Sequence, residues 1–305
     1  MKKKILIIAG GFSKEREISL KTAKGVFNAI KNKYISKICE PNGELIKKLK
    51  SFKPDVVFNA LHGRYGEDGY IQSILELENI KYTHSGVLSS SIAMDKELSK
   101  KIFKKEKIIT PKYFKYKFNN SEKRSFLINK IKKKIGFPVV IKPFNEGSSV
   151  EVYICNEKNI LKKLNKLSPY KEIMIEKYIP GREIQVAIMG KRKLGAIELV
   201  PKRKFYDYQA KYNIKSKTKH IIPVKIEKKK MNEVLSIALK AHKVIGCKGV
   251  TRSDFKYYNN KFYLLEINTQ PGMTSLSLVP EIAQYNNISF LNLIEWIIKD
   301  ASTKR

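Results

Sequence analysis

Apolar residues in the first third of the chain fall into short blocks separated by helical periods. ILIIAGG is a buried-strand run ending in glycines, and SKEREISLKTAKGVFNAIKN carries Ile18, Ala23, Val26, Phe27 and Ile30 on one helical stripe. DVVFNALHG is a second buried-strand run, followed by a turn-rich loop and the helical segment IQSILELENI. Strand alternating with helix predicts a parallel sheet covered by helices. Ligands are then expected beyond the carboxyl ends of the strands, where residues 10–15 and 62–69 lie.

The middle of the chain opens with a basic helix and has a polar, lysine-rich segment over 119–134. Strand FPVVIKP, loop FNEGSS, strand VEVYI, a helix around 159–167 and strand IMIEKYI follow, a pattern that predicts an α+β lobe. The last region begins with a hairpin, QVAIMG and LGAIEL about a KRK loop, and continues into a long polar loop at about 201–219. A helix with the stripe Val234, Ala238, Ala241 and Ile245 comes next, then a second hairpin and a C-terminal helix through Trp296. The predicted divisions are 1–95, 96–183 and 184–305, and no internal repeat is evident.

The second hairpin, VTRSDFKYYNNKFYLLEIN over 250–268, carries the strongest chemical signal. With a three-residue loop at Asn259, Asn260 and Lys261, Tyr258 pairs with Phe262, Asp254 with Glu266 and Arg252 with Asn268. Alternate side chains share a face, so Arg252, Asp254, Glu266 and Asn268 project together. Phe255, Tyr257, Tyr263, Leu265 and Ile267 then form the core face. Two carboxylates and an amide oxygen are hard oxygen ligands of the kind magnesium accepts, with phosphate oxygens completing the shell. A two-residue turn would separate the two acids; a solvated polar face is the alternative reading.

Composition narrows the class. The chain has 305 residues and 42% hydrophobic content, enough for two or three globular domains. No apolar run approaches the ~20 residues of a spanning helix, and the N-terminal MKKKILIIAGG is too short in its apolar part for a secretory signal. Three widely spaced cysteines, Cys39, Cys155 and Cys247, form neither a zinc spacing nor a disulfide framework and point to a reducing cytoplasm. The formal charge of +34 raises a nucleic-acid reading, but 54 lysines against 8 arginines, scattered along the chain, suit it poorly. Such a charge still concentrates anionic ligands such as nucleotides.

Further candidates lie upstream. Glu146, Gly147, Ser148 and Ser149 follow a buried strand and suit close approach of backbone N–H groups to phosphate. Lys142 lies inside that apolar strand and needs an anionic partner; Lys96, opening a helix, is a second phosphate candidate. Residues 176–179 end a strand in extended backbone that suits an adenine edge, with Glu176 and Glu183 placed for an amino group and ribose hydroxyls. The 201–219 loop interleaves Phe205, Tyr206, Tyr208 and Tyr212 with lysines, as a lid over an anionic ligand would; a partly ordered surface loop is the alternative. Among the histidines only His62, in ALHGRYGEDG, has a suggestive context. Zinc, nucleophile-elbow and P-loop motifs are absent.

Taken together, GGFSKEREISL, ALHGRYGEDG, SSSIAMDKELSK, VVIKPFNEGSSV, IEKYIPGREIQVAI, FYDYQAKY, GCKGVTRSDF and LLEINTQPGMTSLSLVP resemble the D-alanine–D-alanine ligase family of the ATP-grasp superfamily over nearly the whole chain. The resemblance implies an N-terminal Rossmann-like α/β domain followed by the two α+β lobes of an ATP-grasp fold. It implies ATP-dependent joining of two D-alanines through a D-alanyl phosphate, for peptidoglycan synthesis, by a cytoplasmic homodimer. It assigns Asp254, Glu266 and Asn268 to two magnesium (or manganese) ions. Lys96, Lys142, Glu176, Lys177, Ile179, Glu183, Phe205 and Lys211 are assigned to ATP. Glu15 would hold the first D-alanine's ammonium, with Ser148 and Tyr212 pinning the lid loop. His62 would line the first subsite, Arg252 and the Gly272 N–H would meet the oxyanion, and Ser277 and Leu278 the second D-alanine's carboxylate. Tyr212 favours the dipeptide-forming branch over vancomycin-resistance ligases that use D-lactate. Glu151 and Gln209 depart from the family pattern. Another ATP-grasp ligase, using D-lactate or D-serine as second substrate, and a nucleic-acid-binding protein are the competing readings.

Overall fold

The computed structural model describes residues 1–118, 124–144, 151–201, 218–274 and 276–305. Three sheets organise them. The first is parallel, with order β2-β1-β3, from β1 (Lys4–Ile8), β2 (Ile35–Cys39) and β3 (Val56–Asn59). Every residue of β3 is buried, as a strand covered on both faces requires. Helix α1 (Arg16–Ile30) buries Ile18, Ala23, Val26 and Ile30, most of the stripe expected from sequence. Helices α2 (Leu45–Phe52), α3 (Tyr70–Leu77) and α4 (Val87–Met94) complete this part.

The second sheet is antiparallel, order β4-β7-β5-β6, from β4 (Tyr113–Lys117), β5 (Val139–Pro143), β6 (Tyr153–Cys155) and β7 (Glu172–Lys177). Helices α6 (Arg124–Lys134) and α7 (Ile160–Leu167) cover it. Between the first two sheets runs α5 (Lys96–Lys105), capped by Asp95, whose Oδ1 accepts from the N–H groups of Glu97 and Leu98. Phe103 of α5 packs not into the four-stranded sheet but into the core of the third.

The third sheet has order β10-β9-β8-β11-β12, from β8 (Arg182–Met189), β9 (Arg192–Val200), β10 (Lys219–Ile221), β11 (Val250–Tyr258) and β12 (Lys261–Asn268). One face, with Ile184, Val186, Ile188, Phe255 and Leu264, meets α8 (Lys228–Ile245) through Val234, Ala238 and Ala241. On the other face, Ala187, Met189 and Ile197 join a core shared with β1, β3, α1, α9 (Leu278–Tyr285) and α10 (Phe290–Asp300). The first and third sheets therefore share one core, and a cleft opens where that core ends. Among the described residues no helix is long and apolar enough to cross a membrane.

Both hairpins of the third sheet depart from the sequence reading in the same way. The expected KRK loop is a two-residue turn at Gly190 and Lys191, since Met189 pairs with Arg192, and the register shifts after Ala187. The acidic hairpin also turns in two residues: Tyr258 pairs with Lys261, and Asn259 and Asn260 have φ of 47° and 60°. Two successive left-handed residues match the twist of the flanking strands. By itself this turn would part the two acids. A β-bulge intervenes, so that Phe255 pairs with Leu264 while Asp254 pairs with Glu266. Leu265 is the extra residue, and the expected facing of the acids survives. The expected core face is corrected: Phe262 and Leu264 are buried, whereas Tyr263 and Leu265 are only partly so, because the bulge reverses the alternation on that side.

Candidate active site

The paired acids anchor the site. Asp254 lies opposite Glu266, and Arg252 opposite Asn268. Asp254 is 5% exposed. The Arg252 guanidinium grips its carboxylate, Nε to Oδ1 at 2.7 Å and Nη2 to Oδ2 at 3.0 Å. Glu266 faces the Lys96 ammonium at 3.7 Å. Asn268 Oδ1 accepts from the N–H of Gln270 at 2.8 Å, which orients the amide. The donor set of two carboxylates and one amide oxygen fits a hard divalent cation better than zinc, which favours nitrogen and sulfur. Among the described residues no cluster of three His, Cys, Asp or Glu side chains gathers, so a metal here relies on that amide and on ligand oxygens.

A cluster of buried charge lies on the four-stranded sheet. β5 and β7 pair Lys142 with Met174 and Val140 with Glu176, so the diagonal brings the lysine and the acid together. Lys142 Nζ donates to Glu176 Oε2 at 2.7 Å, which supplies the anionic partner demanded by a lysine in an apolar strand. The second oxygen, Oε1, meets Lys100 Nζ at 2.6 Å. Burial opposes ionisation of Glu176, yet the two ammonium groups outweigh it and hold the carboxyl below its usual range. Burial lowers the Lys100 ammonium despite Glu176, with Lys142 adding repulsion. Lys96 Nζ donates to the Phe144 carbonyl at 3.5 Å.

Sequence reasoning missed Lys100, one lysine in a basic helix. The signal was present: Lys96, Ser99, Lys100 and Phe103 are the buried residues of α5, a spacing of three, four and seven that marks an inward helix face.

Other predicted nucleotide residues have structural partners. Lys177 Nζ donates to the carbonyls of Phe137 and Gly136 at 3.1 and 3.3 Å, tying β7 to the turn before β5. Ile179 lies in the extended segment after β7, half-buried. Glu183 is buried and ion-paired with Lys256 at 3.0 Å. Glu176, assigned to an adenine edge, has both oxygens engaged by lysines. Ser148, Phe205, Lys211 and Tyr212 lie outside the described residues, as do Gln209 and the neighbours of Ser148 at 146, 147 and 149. Glu151 has φ of 55°, a left-handed conformation that a glycine adopts without strain, and its carboxylate accepts from the Tyr153 hydroxyl. Burial first, then that hydrogen bond, pushes the Tyr153 phenol up to about 12.

The remaining candidates surround one cavity of ≈ 120 Å³. Glu15, His62, Gly272, Ser277 and Leu278 line it together with Lys96, Arg252, Glu266 and Asn268. Glu15 precedes α1 and is 5% exposed; an added Cβ on Gly63, which has φ of 70°, would lie 2.9 Å from its Oε2. Backbone therefore approaches the Glu15 carboxylate as closely as only glycine permits. The His62 ring is clamped, Nδ1 to Glu67 Oε1 at 3.2 Å and Nε2 to Thr22 Oγ1 at 3.0 Å. Neither Glu67 nor Thr22 was singled out from sequence. Ser277 precedes α9 and its Oγ accepts from the Thr274 N–H at 2.9 Å. A Cβ on Gly272 would stand 3.0 Å from that Oγ and 3.8 Å from His62 Nε2, so the three groups crowd a single wall. The first and third sheets both contribute to this wall, and an acid, a guanidinium and a carboxylate-facing ammonium line the cavity.

Comparison with known proteins agrees with this arrangement. A family model described as D-ala D-ala ligase C-terminus matches residues 102–299, and one described as D-ala D-ala ligase N-terminus matches 40–85. The chain is 65% identical over 306 residues to a D-alanine--D-alanine ligase of Pelagibacter ubique (strain HTCC1062), covering 100% of both chains. The chain belongs to the D-alanine–D-alanine ligase family. A Wolbachia pipientis wMel D-alanine--D-alanine ligase is 45% identical, with 97% of this chain and 94% of the relative covered. The fold agrees with that of a Bacillus anthracis D-alanine--D-alanine ligase complexed with ATP, at TM-score 0.84 and 32% identity over 98% of this chain and 97% of that one. A second structure of the Bacillus anthracis ligase gives TM-score 0.86 at 34% identity, with the same coverage. The parallel sheet followed by two antiparallel sheets is thus the family's ATP-grasp arrangement, as the sequence reading expected.

Proposed function

We propose that this chain joins two D-alanine molecules into D-alanyl-D-alanine at the expense of ATP, releasing ADP and phosphate for peptidoglycan synthesis. The observation that carries the reading is the single cavity in which Glu15 and His62 of the first part meet Arg252, Glu266 and Asn268 of the last. A carboxylate oxygen of the first D-alanine takes the γ-phosphoryl group of ATP. The amine nitrogen of the second then bonds to the acyl carbon, and the C–O bond to phosphate breaks.

Each residue group has a task in this reading. Glu15 holds the first substrate's ammonium, and the clamped His62 shapes the wall beside it. Lys96, Lys142 and the pocket residues Lys177, Ile179, Glu183, Phe205 and Lys211 bind the nucleotide. Glu176 accepts from Lys142 Nζ and fixes its direction. Asp254, Glu266 and Asn268 would hold two magnesium or manganese ions, which neutralise phosphate charge when bound. Arg252 and the Gly272 N–H face the developing oxyanion; losing one such donor typically costs about a hundredfold in rate. Ser277 and Leu278 meet the second carboxylate. Ser148 and Tyr212 act with Glu15 to close the 201–219 loop.

In the division at 1–95, 96–183 and 184–305, the first part supplies the first-substrate residues, the second most of the nucleotide pocket, and the third the metal ligands, the oxyanion donors, the second-substrate residues and the rest of the nucleotide pocket. A homodimer through the first part is supported by exposed Tyr70, Leu77 and Leu88 on α3 and α4. A cytoplasmic setting is supported by three buried free cysteines, the Cys39 and Cys155 thiols being pushed up to about 11 by burial. Phosphate release measured with D-alanine, L-alanine, D-serine and D-lactate tests the assignment. Turnover confined to D-alanine is expected. A second substrate consumed as fast as D-alanine would overturn the substrate assignment, and no ATP-dependent release would overturn the reaction.

A further inference from the structure

Gln185 is a buried polar group of the cleft that the roles above leave unused. It sits on β8 directly opposite Asp254, which in turn lies opposite Glu266. The three residues form one row across three strands. Gln185 is 0% exposed and lines the cavity beside Arg252 and Asn268. Its Nε2 reaches Glu183 Oε1 at 3.4 Å, but its Oε1 is buried with no hydrogen-bond partner among the described residues.

The position makes that orphaned oxygen informative. Further along the same face of β8, Ala187 and Met189 belong to the hydrophobic core. The cross-strand neighbour on β9, Ile197, is core too. An apolar side chain would continue that surface with no buried acceptor to satisfy. The amide stands instead where the core gives way to the proposed metal ligands. The carboxylates of Asp254 and Glu266 accept hydrogen bonds and cannot supply the donor that Oε1 requires, and neither the Asn268 amide nor the Arg252 guanidinium bonds to it.

We propose that Gln185 is a positioning residue for the bound metal and nucleotide: its Oε1 accepts a hydrogen bond from a water in the coordination shell of magnesium held by Asp254 and Glu266. The inference rests on the metal assignment under Proposed function. Magnesium keeps several of its waters when protein bound, and groups that orient a metal's surroundings commonly govern its affinity about tenfold or more. The contact from Nε2 to Glu183 at 3.4 Å engages the nitrogen and leaves the oxygen as the end of the amide without a hydrogen bond.

The test compares wild type with Gln185→Met, similar in size but without the acceptor, and with Gln185→Glu, which keeps one. Mn²⁺ uptake in the presence of ADP is followed by electron paramagnetic resonance, ADP binding in EDTA by calorimetry, and stability by thermal melting. Q185M is expected to melt no lower than wild type, to bind Mn²⁺ with ADP about tenfold more weakly, and to bind ADP in EDTA as wild type does. Q185E is expected to stay within threefold of wild type for the metal. Wild-type Mn²⁺ affinity in Q185M overturns the proposal. An equal loss of ADP affinity without metal also overturns it, because the donor would then be a nucleotide hydroxyl. Should Q185M not melt cooperatively, Gln185→Asn, which withdraws the acceptor by one methylene, is judged by the same criteria. A wild-type chain that takes up no Mn²⁺ with ADP sinks the metal assignment itself, a distinct result from a wild type that binds and a Q185M that binds equally.

Discussion

Replacing Glu176 by Gln tests the buried charge cluster most severely. Two ammonium groups, Lys100 and Lys142, contact its carboxylate at 2.6 and 2.7 Å, and the side chains are 0%, 8% and 3% exposed for Lys100, Lys142 and Glu176. At an effective dielectric of ~20, unit charges ~4 Å apart attract by about 4 kcal/mol. Removing the acid forfeits two such attractions and leaves two like charges buried side by side. Relief of the carboxylate's own desolvation, several kcal/mol, offsets part of this. The net expectation is a loss of about 3–5 kcal/mol, the usual range for stripping a buried charge of its partner. Lys100→Met behaves differently: Glu176 keeps Lys142, the remaining pair is neutral, and the cost falls to about 1–2 kcal/mol. In thermal melts without nucleotide, Glu176→Gln should drop the midpoint by about 10 °C and Lys100→Met by about 4 °C. The double variant should recover about 1–2 kcal/mol of coupling, since the two sites share a contact. A Lys100→Met loss equal to that of Glu176→Gln, or a neutral Glu176→Gln, would refute the reasoning.

Three further outcomes are expected. Asp254→Asn and Glu266→Gln should each cut phosphate release about a hundredfold or more while melting within a few degrees of wild type; full activity in either rejects the metal ligands. Deleting Leu265 should leave Mn²⁺ affinity with ADP within about threefold, at a stability cost of roughly 1–3 kcal/mol, because the two-residue turn alone then pairs Asp254 with Glu266; loss of metal binding with the fold intact would show that the twist of the bulge, not the register, aims the acids. Because Glu176 has its folded pKa lowered, with burial opposing and Lys100 and Lys142 prevailing, its contribution to stability is present above the unfolded value of about 4.3 and is lost as pH falls through the folded value. Urea unfolding between pH 3 and 7 should therefore show a shallower acid slope for Glu176→Gln than for wild type, and parallel slopes would count against that sign.

Much of the site was legible because its evidence is local. The run 250–268 alternates polar and apolar side chains, and β11 obeys that alternation: Asp254 lies on the cleft side and Phe255 in the core. On β12 the same reasoning reached the correct facing of Glu266 through a wrong turn. A three-residue loop and a two-residue turn with one bulge contain the same number of residues, and the chain spent its extra residue at Leu265 instead. Asn259 and Asn260 favoured the tighter turn, and its twist decided the matter.

By itself the sequence determined the alternation of strand and helix in the first part, the inward stripes of α1 and α8, and the family's motifs, since each depends on residues two to four apart or on contiguous strings. Tertiary structure alone decided which of 54 lysines lies fully buried against Glu176, where the bulge falls, and that Gln185 keeps a buried oxygen with no partner among the described residues. Burial and pairing of charge are set by contacts between segments far apart in the chain. Lys100 and Glu176 stand on α5 and β7, and no period along either element reveals that they meet.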